Sequence, residues 1–376
     1  MNKLPSDWQI KTLNEVCFPS SSNIAYKDVK DKKGNYPIFG ASGIVAYADF
    51  YSKEKECLGI VKDGSVGKIF LLPAKSSVIS TLNYLENTDL SDIKYLYYFL
   101  HRINFSKYIK GSVIPHIYFR DYKKEKIPLP PLATQKQIAK KLDYLFDKID
   151  KALTFLNENK EYIKKYRLSI LKYAFEGKLT LSSKNWKIKT LGEVCEITMG
   201  QSPIGKYIIN INKNYNSKAV EFHQGKIYFS DKYILKSNVV TTDIKKIAKK
   251  NSVLLCVRAP VGIINITQRE IAIGRGLCAL NSKYSNNDFI YFYLLTLQNY
   301  FNEKSTGSTF SAITLDVIRN TKIPIPPIET QKEIVSILDK SFKSMDEIEI
   351  LNNENINNLL LLKKSLLKEA FSGRLI

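Results

Sequence analysis

Residues 127–142 read IPLPPLATQKQIAKKL, and residues 323–338 read IPIPPIETQKEIVSIL, so one block returns 196 residues later. The same offset carries Gly111-Ser112 onto Gly307-Ser308 and Ser169-Ile170-Leu171-Lys172 onto Ser365-Leu366-Leu367-Lys368. Upstream, WQIKTLNEVC from Trp8 returns as WKIKTLGEVC from Trp186, an offset of 178. The repeating unit is therefore half the chain, with an 18-residue length change in its variable part. Solenoid units repeat every ~20–50 residues, so this period is that of a duplicated domain with its connector. Whatever one half does, the other is built to do in parallel.

Residues 134–176 hold neither Gly nor Pro. Residues 138, 142, 145, 149, 152, 156, 159, 163, 166, 170 and 173 step by 4 and 3 without a break, and all but Asn159 are Ile, Leu, Ala or Tyr. That is a heptad, which predicts a long helix with a coiled-coil seam. Thr134 with Gln137 fits a capping box at its start, and Gly177 fits a left-handed stop. Forty-odd residues at ~1.5 Å each make a rod of roughly 60 Å. The second copy keeps the frame through Ile334, Leu338, Met345, Ile348, Leu359, Leu362 and Leu366, with Thr330 and Glu333 as its box and Gly373 as its stop. Asn352 and Asn355 fall on its seam; polar seam residues cost stability and fix register, although drift in an Asn-rich chain is an equal reading.

The remaining segments alternate short apolar runs, CLGIV (57–61), KIFLL (68–72) and SVLLCV (252–257), with turns at GASG (40–43), DGSVG (63–67) and GRG (274–276). They read as short strands plus the amphipathic stretches 93–103 and 288–297. The expected class is α+β: two mixed α/β domains, residues 1–130 and 179–326, separated by two long helices, residues 131–178 and 327–376, in a pseudo-twofold internal repeat. A domain's two ends usually lie close together, which makes the helices antiparallel, with one domain at each end.

A formal charge of +21 on 376 residues points to nucleic acid as the partner. The excess is +6 in 1–130, +5 in 131–178 and +11 in 179–328, against −1 in 329–376. Five cysteines without a CxxC pair read as a reduced, intracellular and cytoplasmic chain without a disulfide framework. No apolar run approaches the ~18–20 residues of a membrane span, and no signal peptide is visible.

Catalytic motifs are missing. No NPPY-like tetrapeptide holds a target amine; the PP pairs are helix starts. Gly64-Ser65-Val66-Gly67-Lys68 fails as a phosphate loop, because Lys62 and Ile69 stand where Gly and Ser or Thr are needed. His101, His116 and His223 have no His or Cys at metal-ligand spacing. Glu158-Asn159-Lys160 has a nuclease-like spacing, but within the heptad it reads as a solvated helix face. No cofactor or metal is expected.

Two loops carry candidate contacts. IVKDGSVG (60–67) resembles CVRAPVG (256–262), and the 196-residue offset sets Lys62 against Arg258. A long cation on a Gly- or Pro-bounded turn reaches phosphate or a guanine edge, unless it is a plain solvated turn. Ser65 and Lys68 on the first turn, and Arg275 in the GRG turn, join them. GSVIPHIYFR (111–120) aligns without gaps to GSTFSAITLD (307–316), a shared frame with different tips. His116, Tyr118 and Arg120 in one copy, and Ser308, Thr309 and Ser311 in the other, are candidate base or backbone contacts, while Ile117 and Ile313 read as core.

The doubled pattern of W…LGEV, a variable region, IPLPPLATQKQIAKKLD, a long helix and AFEGKL resembles the specificity subunit of Type I restriction–modification systems. YPIFGASG (36–43), VRAPVG (257–262) and IGRG (273–276) resemble stretches of that family's recognition domains. The resemblance covers the whole chain. It implies two target recognition domains, each reading half of a split double-stranded DNA site. The helices would act as a ruler, with half-sites about one helical turn (~34–36 Å) apart, and as the dock for two methyltransferase subunits. The partner would bind S-adenosylmethionine, and separate ATP-dependent restriction subunits would cleave. This chain would contribute no catalysis. Two other readings stay open on the residues alone: a single-chain DNA-modifying enzyme, and a decoy or assembly protein that binds methyltransferase subunits without reading DNA.

Overall fold

The computed structural model describes residues 4–180, 186–210, 219–306 and 312–376. The chain divides into two compact units, residues 1–157 with 353–376, and residues 158–352. Each is α+β and built on the same plan.

In the first unit, Cys17–Ser21, Leu82–Asn87, Cys57–Val61 and Ile69–Leu72 form a four-stranded antiparallel sheet in that order. Gly43–Ala48, Tyr36–Gly40 and Ser77–Val78 make a second sheet. In the other unit the four-stranded sheet returns as Cys195–Met199, Leu277–Ser282, Val253–Cys256 and Ile264–Ile266. A five-stranded sheet stands beside it. The central strands Cys57–Val61 and Val253–Cys256 are buried throughout, which explains their continuous apolar runs. The expected helices are Ile93–Leu100 and Asn287–Leu295, capped by Asp92 and Asn286.

Each domain is closed at its ends. Gln9–Thr12 pairs antiparallel with Lys126–Leu129, and Lys187–Thr190 pairs with Lys322–Ile325 in the same register. Entry and exit therefore lie side by side, as the domain argument requires, and a long helix follows at once: Leu132–Phe175 and Ile328–Ala370.

The long helices begin two residues before the expected caps. Thr134 and Thr330 lie inside the first turn and cap nothing. The first turns are closed by the Gln135 amide on the Pro131 carbonyl and the Gln331 amide on the Pro327 carbonyl, both 3.0 Å. Proline suits this end because its missing N–H has no helical partner to lose. Buried Gln135 then spends its side chain on the junction: Nε2 donates to the carbonyls of Pro130 and Leu90, and Oε1 accepts from the Asp92 amide. Gln331 does likewise with Pro326 and the Asn286 amide. The repeated PPxxTQ block is thus a joint between helix and domain. The stops are as expected: Gly177 and Gly373 have φ of 74° and 76°. The amides of Lys178 and Arg374 bond back to the carbonyls of Tyr173 and Glu369.

Within each unit the start of one long helix packs antiparallel on the end of the other. Ile138 and Leu142 share a core with Leu367 and Ala370. Ile170, Leu171 and Ala174 share one with Ile334, Leu338 and Met345. The seam is not the full predicted heptad: Tyr166 is 58% and Ile348 52% exposed, and Tyr173 and Leu362 also face solvent. The contact turns instead to Arg167, Leu171 and Ala174, where Arg167 covers Phe342. Asn352 is buried, whereas Asn355 is exposed.

One carboxylate per unit ties helix to domain. Asp143 accepts from Lys94 Nζ (2.7 Å) and the Tyr98 hydroxyl (2.6 Å). Its repeat mate Asp339 accepts from Lys232 Nζ (2.6 Å), which also reaches Asp288 at 2.9 Å. Burial pulls the Lys232 ammonium down, but the two carboxylates outweigh it and hold its pKa above the ordinary value.

Candidate nucleic-acid interface

In the first unit the structure knits the two candidate loops together. The Ile117 amide donates to the Lys62 carbonyl (2.9 Å), and the Gly64 amide to the Pro115 carbonyl (2.8 Å). His116 bridges both Asp63 and Lys110 through backbone pairing. Ile117 is buried, as expected of core. The His116 and Tyr118 rings lie 5.2 Å apart, and the Arg120 guanidinium stands 4.6 Å over the Tyr118 ring. His116, Tyr118 and Arg120 thus form one cluster, with Asp63 opposite His116, Lys62 opposite the buried Ile117, and Ser65 exposed on the adjoining turn. Lys68 Nζ donates to the Ala41 carbonyl in the GASG turn (3.3 Å), while Lys110 is paired with Asp121 (2.8 Å).

The second unit repeats the scaffold with a different register from that expected. The Gly67 amide donates to Val61 and the Gly262 amide to Cys256, both at 2.9 Å, an offset of 195. Asp63 bridges His116 where Arg258 bridges Ala312. The structural counterpart of Arg258 is therefore Asp63, and that of Lys62 is Val257. The two turns match without a gap, and the single-residue shift lies downstream. At this position one unit offers a carboxylate and the other a cation.

Arg258 and Arg275 are exposed and line one cleft of about 240 Å³ with Lys226, Gln224 and Pro260. Three cations thus converge on a small opening. The glycine after Arg275 is required by packing: a Cβ on Gly276 would lie 2.3 Å from the Gln224 backbone carbonyl oxygen. Lys226 and Gln224 carried no signal in the sequence beyond general basicity. Ser308, Thr309 and Ser311 lie outside the described residues.

The strand Val220–His223, just before Gln224, carries a partly buried polar anchor. Glu221 accepts from Arg269 Nε (2.6 Å) and the Ser237 amide (2.7 Å), and His223 Nε2 lies 2.8 Å away. Burial alone would raise the Glu221 carboxyl; Arg269, Ser237 and His223 overcome it and hold it down at about 2. Burial lowers His223 below its ordinary value despite Glu221.

All five cysteines are buried and unpaired, and burial pushes their thiols up to about 12. Among the described residues no three His, Cys, Asp or Glu groups gather to hold a metal. No helix among them is long and apolar enough to cross a membrane.

The family of the Type I restriction modification DNA specificity domain matches residues 5–165 and again residues 183–362. The chain belongs to this family. Its task is DNA target recognition, a non-catalytic one. Over its whole length this type I specificity chain is 29% identical to the putative type I restriction enzyme MjaX specificity subunit of Methanocaldococcus jannaschii, 95% of which it covers. The MjaVIII specificity subunit of the same organism is 27% identical over 99% of the chain and 94% of its own length. In fold it is similar to the HsdS subunit from Thermoanaerobacter tengcongensis, with a TM-score of 0.62 and 24% identity over 99% of this chain and 98% of that one. A chain from a structure described as the basis of complex assembly and conformational transition of the type I R-M system superposes with a TM-score of 0.80 at 23% identity, over the whole of both chains.

Proposed function

We propose that this chain reads a bipartite double-stranded DNA site, one half-site per recognition domain, and docks two methyltransferase subunits on its long helices. Residues 1–130 and 179–326 are the readers, and residues 131–178 and 327–376 are the spacer. The observation that carries this reading is the scaffold shared by the two units with different residues on it. Asp63, His116, Tyr118 and Arg120 meet on one; Arg258 and Arg275 converge with Lys226 on the other. Cations of this kind position phosphates, while Arg and amide side chains read base edges.

The long helices support the docking half of the proposal. They expose Tyr144, Phe155, Tyr162, Tyr166 and Leu168 on one and Ile348, Leu351, Leu360 and Leu361 on the other. Within the second unit Tyr162, Tyr166 and Ile348 line one groove between the helices, and apolar exposure of this kind suits a protein interface rather than a solvated rod. ATP-dependent restriction subunits join through the complex, and S-adenosylmethionine belongs to the methyltransferase. The reduced, buried cysteines suit the cytoplasm.

The decisive experiment is co-expression with the cognate methyltransferase followed by genome-wide mapping of methylated bases. A two-part motif with a fixed gap is expected. Removing seven residues from each long helix should shorten the gap and leave the half-sites alone. Altered half-sites would sink the ruler, assembly without sequence preference would favour the decoy, and methylation by the chain alone would make it an enzyme.

A further inference from the structure

Val113 is 90% exposed and Ile114 63% exposed, at the tip of the loop that carries His116, Tyr118 and Arg120. Two neighbouring aliphatic side chains in water cost roughly 25 cal/mol per Å² of apolar surface, so so prominent a pair calls for a partner. The tip is held. Its base is closed by the Lys110 amide on the His116 carbonyl (2.9 Å) and the reverse bond at 2.8 Å. The Pro115 carbonyl is pinned by the Gly64 amide (2.8 Å), and His116 Nδ1 lies 3.3 Å from the Ile114 carbonyl. Gly111 turns the chain with φ of 85°, and a Cβ there would sit 2.4 Å from the Ile114 carbonyl oxygen. The loop therefore presents its two β-branched side chains on a preformed mount, at little ordering cost on binding.

We propose that Val113 and Ile114 read thymine by packing on its C5 methyl group in the DNA major groove. This deepens the DNA-reading function proposed above and rests on it. Only the major groove shows that methyl, next to the thymine O4 acceptor. The same loop supplies both kinds of reader: the aliphatic tip for the methyl, then His116, Tyr118 and Arg120 for acceptor and phosphate groups. The neighbouring cation Arg120, stacked on Tyr118, favours a polyanion over an apolar protein surface. Short, χ1-stiff side chains reach a methyl group, whereas a wedge between base steps must also offset a few kcal/mol of unstacking.

The test uses the assembled methyltransferase complex and the site mapped from its methylome. Affinity is measured for that duplex, for a duplex with both half-sites scrambled, and for duplexes with deoxyuridine at each thymine in turn. One substitution in one half-site is expected to weaken binding about three- to tenfold. The Val113→Ser/Ile114→Ser double variant should bind the thymine and deoxyuridine duplexes alike. Its exposed sites leave folding intact, which unchanged methyltransferase assembly confirms. Equal binding of every deoxyuridine duplex by the native chain, a half-site pair without thymine, or a variant that still discriminates overturns the methyl contact. Binding of the scrambled duplex as tight as that of the mapped one overturns the DNA-reading function itself.

Discussion

The Arg167 guanidinium is bonded to the Asp346 carboxylate and stacks on Phe342, 5.2 Å from the ring centre. One repeat on from Arg167, and one repeat back from Asp346 and Phe342, Lys363 is bonded to Asp150 and stands 4.8 Å over Phe146. The same cation–carboxylate–aromatic triad thus closes the paired helices in both units, with Arg in one and Lys in the other. The pairs are partly exposed, so the charge contributes little and the stacking most of the rest. Arg167→Ala is expected to destabilise the chain by about 1 kcal/mol in urea unfolding, and Arg167→Lys by less than half of that. A lysine variant as unstable as alanine would count against the triad.

Gln135 and Gln331 should be far more sensitive than their surroundings suggest. Each alanine variant leaves buried amide and carbonyl groups at the helix–domain joint without a partner, at a cost of about 1–3 kcal/mol. The Thr134→Ala variant, by contrast, should be close to neutral, because Thr134 caps nothing. Chemical denaturation of the three variants distinguishes the joint from a simple helix cap.

Arg258→Ala is expected to weaken DNA binding by about 1–3 kcal/mol if the side chain meets a base, and to relax one half-site only. The same readout applies to Lys62→Ala and the other half-site. Methylation maps in which both half-sites change together, or neither does, would remove these residues from the reading face.

The Glu221–His223–Arg269 anchor makes the second unit sensitive to acid. Both titrating groups have folded pKa values below their ordinary ones: His223 below 6.5 and Glu221 down from 4.5 to about 2. For each, the unfolded chain binds more protons, so stability falls as pH drops. The loss begins near pH 6.5 through His223, grows below pH 4.5 through Glu221 and is complete near pH 2. Melting temperature followed from pH 7.5 to 5 should fall in the native chain and fall less in His223→Gln. A parallel decline in both would show that other groups carry it.

Much of the frame could be read from residue spacing, because the features that set it are local. Gly177 and Gly373 stop helices through their own backbone freedom, and the strands 57–61 and 253–256 announce themselves by unbroken apolar runs. What depended on distant partners was harder to see. Tyr166 looks like a seam residue by its step of three, yet Arg167 takes the seam because Phe342 and Asp346 await it. Lys62 and Arg258 align by counting from the helices, but the β-ladder sets Arg258 opposite Asp63 in role. Of the candidate contacts, the two loops 60–67 and 111–120 were each legible, but their joining through Asp63 and His116 was not, and Lys226 joins Arg258 only once Gly276 lets the Gln224 segment approach.

The paired end strands of each domain have a consequence for heredity. Ile10 faces Pro128 as Ile188 faces Pro324, and Thr12 faces Lys126 as Thr190 faces Lys322. A crossover between the stretches encoding these near-identical strands would exchange everything enclosed by the clasp and restore every rung of it. The chain is in this sense written with matched cut points, at which an enclosed domain could be exchanged whole while the helices that receive it stay unchanged.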